Sequence, residues 1–178
     1  MSPEADALKE EGLRLFRIGE HSQALDHFER AYDAYMAADR PLDAAEMLNN
    51  IGVIWRMEDD TGAAAVSLER AREIFAEHGD RSREAQVLGN LAPLYSKQGR
   101  IDEAIAAYRT AAEMFGELGD KDRQGETLLA LGILQFREGQ RQAGLASYET
   151  GLMLIKNPTP KQKRTRMLLK MRKRVTGS

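Results

Sequence analysis

Two asparagines, Asn50 and Asn90, stand 40 residues apart, and cations recur around them: Arg17, Lys97 and Arg137 share one position of that interval, with Arg56 one residue before it. A carboxamide carries both a donor and an acceptor, so a row of them can pair with the main chain of an extended peptide whatever its side chains. A row of cations draws an acidic segment or a terminal carboxylate. Lys9 and Asn49 belong to the same set of positions, and Phe16, Met57 and Phe136 among them offer apolar pockets. The chemistry these residue types can perform is capture of a protein or peptide segment, acidic or extended.

Catalysis has no comparable set. The chain has no cysteine and three histidines. His21 and His27 are six positions apart, on different faces of a helix, and do not form a metal pair. No glycine-rich phosphate loop and no nucleophile elbow occurs, and the carboxylates are dispersed along solvated faces. The expectation is a non-enzyme with no cofactor, no catalytic residue and no metal.

The elements that must position the amides and cations come from an internal repeat. Six columns hold at a spacing of 40 residues: Leu8, Leu48, Leu88, Leu128; Gly12, Gly52, Ala92, Gly132; Gly19, Asp59, Gly99, Gly139; Ala24, Ala64, Ala104, Gly144; Phe28, Leu68, Tyr108, Tyr148; and Ala31, Ala71, Ala111, Gly151. Each repeat reads as two helices. In the third, Val87, Leu88, Leu91, Leu94 and Tyr95 mark one helical face from Ser82 to Lys97. Gln98-Gly99-Arg100 breaks the pattern, and a second helix follows from Ile101 to Leu118. Glycine at Gly119 supplies a stop, because it tolerates the left-handed conformation that ends helices. Gly79-Asp80 and Gly119-Asp120 occupy equivalent junctions, and Pro41 falls in the first turn of its helix. Small residues at the Gly12 and Ala24 columns let the two helices of a repeat approach closely, and the large residue of the Phe28 column fills the wedge between repeats.

This order of leucine, small and large residues, then alanine, aromatic and alanine, resembles the tetratricopeptide repeat (TPR). The familiar repeat has 34 residues, whereas this one has 40 and lacks the closing proline. Leu48-Asn49-Asn50-Ile51-Gly52 and Gly89-Asn90-Leu91-Ala92 are most similar to the longer repeats of kinesin light chains and related adaptors. The resemblance spans residues 5–158. It implies an all-α fold, a right-handed α-solenoid of four helix-turn-helix units (about 1–40, 41–80, 81–120 and 121–160), and protein or peptide binding in a concave groove. The candidate peptide-binding residues are then Lys9, Phe16, Arg17, Asn49, Asn50, Arg56, Met57, Asn90, Lys97, Phe136 and Arg137, with Asn50 and Asn90 side by side. Chaperone adaptors of the family clamp a terminal carboxylate with five residues. The matching positions here carry Lys9, Leu13, Asn50, Gln86 and Asn90, which keep two of the five and exclude that clamp. Pro93 sits in mid-helix, where it removes a hydrogen bond to residue 89.

The two ends differ in charge. The formal net charge is −2, but residues 161–178 carry eight basic side chains and no acidic one, leaving 18 basic against 28 acidic residues in the rest. Ala7, Glu11 and Arg14 stand where later repeats are apolar, so the first helix reads as a genuine start. Residues 161–178 read as a basic capping helix and tail whose stripe of Leu168, Met171 and Val175, flanked by Met167 and Leu169, covers the fourth repeat. The same segment is a possible tether to nucleic acid or an anionic membrane surface. Self-association through an end or the convex face, as a structural scaffold, is a further option. The acidic N-terminus has no apolar core segment and no run of 18 apolar residues occurs, so a cytoplasmic location is the expectation.

Overall fold

The computed structural model describes residues 3–176, with side chains described through Leu169. Among these residues there are nine α-helices and no strand: α1 (Pro3–Arg17), α2 (His21–Ala37), α3 (Pro41–Met57), α4 (Thr61–Glu77), α5 (Arg81–Lys97), α6 (Ile101–Glu117), α7 (Lys121–Arg137), α8 (Arg141–Leu154) and α9 (Pro160–Thr176). The chain divides into two compact units, Met1–Arg100 with α1 to α5 and Ile101–Ser178 with α6 to α9. The expected all-α architecture is what the chain adopts.

Helix α2 and its successors to α8 begin 20 residues apart, and the turns explain the metre. Gly19, Gly79, Gly99, Gly119 and Gly139 all have φ between 68° and 82°. Asp39 and Asp59 take the same left-handed conformation, with φ of 54° and 69°. At the α4–α5 turn the Gly79 N–H donates to Ala76 O (3.1 Å) and the Asp80 N–H to Phe75 O (2.8 Å). That double bond pattern closes the orphan carbonyls at a helix C-terminus. The Asp80 side chain then accepts from the Arg83 N–H at the start of α5 (3.0 Å). One residue therefore ends one helix and caps the next, which leaves room for only three residues between helices. Asp60 and Asp120 cap α4 and α7 in the same way.

In the first unit the small columns work as expected. A Cβ on Gly12 would lie 2.7 Å from the Phe28 ring, and one on Gly52 would lie 2.5 Å from Leu68. Phe28, Ala31, Tyr35, Met47 and Ile54 are sealed in the core beneath them. In the second unit the approach is closer still. The backbones of α7 and α8 touch at two places, Gly125 against Gly151 and Gly132 against Gly144.

Helix α8 stops at Leu154, and the turn to α9 lacks the left-handed glycine or aspartate of the other junctions. Instead Thr159 and Gln162 form a reciprocal cap: Gln162 Oε1 accepts from the Thr159 N–H (2.7 Å) and Thr159 Oγ1 from the Gln162 N–H (3.3 Å). Arg166 fastens α9 to α8, donating to Ile155 O (2.7 Å) and also to Leu152 O. A cation there suits the negative end of the α8 dipole. The consequence corrects the expected capping stripe. Gln162, Thr165, Arg166 and Leu169, spaced three and four apart, form the partly covered face. Leu168 and Met167 look outward, each 57% exposed. The side chains of Met171 and Val175 lie outside the described residues.

Candidate functional site

The faces of α1, α3 and α5 carry most of the candidate residues, and the first unit brings several together in an unexpected register. Asn90 Nδ2 donates to Asn49 Oδ1 (3.0 Å), not to Asn50. Asn49 is buried. Other bonds between successive repeats join residues 37, 38 or 41 apart. Lys9 Nζ lies 2.8 Å from Glu46 Oε1, Arg83 donates to Leu42 O (3.2 Å) and Arg83 reaches Glu46 (3.8 Å). The offset has a physical cause. Neighbouring copies in an array meet through different faces, one forward and one backward, so equivalent positions point the same way instead of at each other. Asn50 and Asn90 are therefore not a pair.

Several expected groove cations are also engaged. Lys97 is bridged to Asp59, and Lys9 to Glu46. Arg17 is exposed, its Nε donating to Leu13 O (3.2 Å). Arg56 is exposed as well. Phe16 is half-buried against the core and stacked on the His21 ring, 5.9 Å between centroids. His21 in turn contacts Glu58 through Nδ1 (2.6 Å). Met57 is 53% exposed and open to a partner. In the second unit, Phe136 is partly exposed beside the exposed Ile133 on α7, and Arg137 contacts Glu138 (3.1 Å).

What remains at the centre of the first unit is a cleft of about 250 Å³ between α3, α4 and α5, lined by Glu46, Asn49, Asn50, Phe75, Arg83, Gln86 and Val87. Asn50 is partly exposed there, but its Nδ2 is sealed from solvent with no protein acceptor in reach. Turning the amide about its last torsion exchanges its oxygen and nitrogen and presents the NH2 group to the cleft. Gln86 adds a second, exposed amide on the rim.

The cleft wall depends on a clasp that composition and helix pattern did not reveal. The Arg83 guanidinium stacks over the Phe75 ring (5.0 Å) while its Nε donates to Asp80 Oδ2 (2.7 Å). Arg123, Phe115 and Asp120 repeat the arrangement in the second unit, at 4.6 Å and 2.6 Å. In the first repeat Arg40 lies over Tyr35 (4.6 Å) and bonds Asp43 and Asp6. The legible signal was Gly-Asp-x-x-Arg at 79–83 and 119–123, its arginine eight residues after an aromatic.

These clasps make stability pH-dependent. Hydrogen bonds from the Arg123 backbone and side chain hold the Asp120 carboxyl below its ordinary value. At Asp80 burial works the other way, but the bonds from Arg83 outweigh it. Asp6 is lowered chiefly by the Tyr35 hydroxyl, then by Arg40. For a lowered carboxyl, the stabilisation is complete above the unfolded value of about 4 and is lost as the pH falls toward the folded one. The melting temperature followed by circular dichroism is expected to be level above about pH 5 and to fall below about pH 4. The double variant Asp80→Asn/Asp120→Asn keeps an acceptor at each cap but cannot titrate there, so its fall is shallower. A slope equal to that of the parent protein would remove these two carboxylates from the account.

Comparison with known proteins agrees with an all-α, TPR-like helical repeat. The structure is similar to that of BtubC (BKLC) from P. vanneervenii, with 20% identity and a TM-score of 0.77, over 88% of this chain and 66% of that one. It is also similar to aspartyl phosphate phosphatase F from Bacillus subtilis, with 17% identity and a TM-score of 0.73, over 85% of this chain and 40% of that one. At these identities the likeness speaks for the fold, and the chain spans less than two thirds of either protein. No curated protein sequence matches the chain. The model of the soluble NSF attachment proteins (SNAP) matches residues 4–172, nearly the whole sequence, and the chain belongs to that family.

Proposed function

We propose that this protein is a non-catalytic adaptor that holds an extended segment of a protein partner along α3 and α5 of its first unit. The name of its family is that of an attachment protein, which accords with an adaptor. The observation that carries the site is the Asn50 amide, bordering the cleft with a donor that no protein atom accepts. Once the amide has turned over, a peptide carbonyl entering the cleft satisfies that donor, and Gln86 serves the same main chain from the rim. Acidic residues on the partner are favoured through the exposed Arg17 and Arg56 more than through Lys9 or Lys97, whose charges face Glu46 and Asp59. Met57 offers an apolar contact at the end of α3.

The test is a selection of displayed random peptides on the full chain, followed by fluorescence anisotropy of those enriched. Enriched peptides should share a short extended core and tolerate varied side chains within it. Asn50→Leu should weaken their binding about tenfold or more, the loss of roughly one hydrogen bond in a desolvated site. Peptides that bind the variant as well as the parent place recognition elsewhere.

A further inference from the structure

The outward face of α9 is an exposed apolar surface that neither the fold nor the proposed cleft uses, and every charged residue of the segment that carries it, 161–178, is cationic. Met167 and Leu168 are each 57% exposed, on the side of α9 away from Gln162, Thr165, Arg166 and Leu169. The sequence continues the Leu168 spacing with Met171 and Val175. Lys161, Lys163 and Arg164 are exposed beside this stripe, and the basic run continues with Lys170, Arg172, Lys173 and Arg174. Among the four of these basic residues whose side chains are described, Arg166 is the one bonded to the end of α8.

We infer that α9 lies on anionic membrane surfaces, its Met167–Leu168 stripe at the boundary of headgroups and acyl chains and its cations among the anionic headgroups. Two features favour a lipid surface over a protein. The charge is of one sign throughout, as a phospholipid surface of opposite sign requires, with each nearby cation contributing about 1 kcal/mol at most. The apolar stripe is narrow, well below the ~800 Å² per partner that a stable protein interface covers, yet a short stripe joined to a polybasic patch is enough for reversible adsorption. No helix among the described residues is long and apolar enough to cross a membrane, so α9 would lie in the surface plane. The Arg166 bonds to the end of α8 hold the helix so that this stripe stays outward. This site is separate from the α3–α5 cleft and does not depend on it.

The experiment is co-sedimentation of the full chain with vesicles of phosphatidylcholine alone and of phosphatidylcholine with about one third phosphatidylserine. Binding is expected only to the serine-containing vesicles, and it should weaken as salt is raised from about 0.05 to 0.3 M. Leu168→Asp and Met167→Asp alter exposed side chains, so circular dichroism should be unchanged while each weakens adsorption about tenfold. Lys163→Glu/Arg164→Glu should weaken it as well. No adsorption of the parent chain at low salt overturns the inference. So does adsorption that the aspartate variants leave intact, since charge alone then suffices. An acidic amphipathic peptide that binds α9 while neither vesicle does would assign the face to a protein instead.

Discussion

Gly151→Ala is expected to destabilise the second unit by roughly 1–3 kcal/mol, the range for overpacking a close-packed contact. The sign is the unusual part. Within a helix, alanine is normally preferred to glycine by about 1 kcal/mol. Here the added Cβ would land 2.5 Å from Gly125 O and 2.9 Å from both Leu128 Cβ and the Leu129 nitrogen. Two of those three atoms are backbone, so no rotamer change relieves the clash and α7 must move away from α8. Gly132→Ala meets Gly144 O and the Tyr148 nitrogen, each at 2.8 Å, and should behave likewise. Gly89→Ala in α5 is the counter-case. Nothing lies within 4 Å of its Cβ, and the ordinary helix preference should return about 0.5–1 kcal/mol of added stability. Urea denaturation of the three variants checks this. If Gly151→Ala and Gly89→Ala shift the midpoint in the same direction, close backbone contact is not what holds α7 on α8.

Asn50→Leu should separate binding from stability. In the free protein its Nδ2 is buried without an acceptor, a state that costs about 1–3 kcal/mol for a polar group. Leucine has the same branched shape, is bulkier toward the open cleft and carries no such cost, so the variant should unfold later by roughly 1 kcal/mol, the lower part of that range. Peptide capture should fall at least about tenfold, because the group that receives the ligand carbonyl is gone. A residue that lowers stability while it serves a ligand is the usual mark of a functional position. Asn49→Leu is the contrasting substitution. It strips the Asn90 donor of its acceptor and should lower stability instead. A variant at Asn50 that loses stability, or one that gains it with peptide capture unaltered, would make this amide an ordinary packing residue.

The paired helices, their breaks and their buried columns were legible in the order of residues. Gly79, Gly99, Gly119 and Gly139 end helices because a left-handed turn is a local property that glycine alone adopts freely. Leu88, Leu91 and Leu94 are buried because spacings of three and four define a face within one helix. Pro41 stands in the first turn of α3, where its missing N–H costs nothing. The Asp–Arg–aromatic clasps were also there to be read as a recurring Gly-Asp-x-x-Arg, although their geometry was not.

What the chain's own order determined, then, was everything that depends on a residue and its neighbours a few positions away: helices, turns, their spacing and the TPR-like helical repeat they imply. Tertiary structure alone decided who meets whom across repeats. It joined Asn90 to Asn49, drew Lys97 to Asp59, left Asn50 facing a cleft, and rolled α9 so that Leu168 turned outward. The reason is geometric. A repeat fixes which way each side chain points within its own copy, but the contact between copies depends on the rotation between them, and that rotation is set by packing and by caps such as Thr159, Gln162 and Arg166.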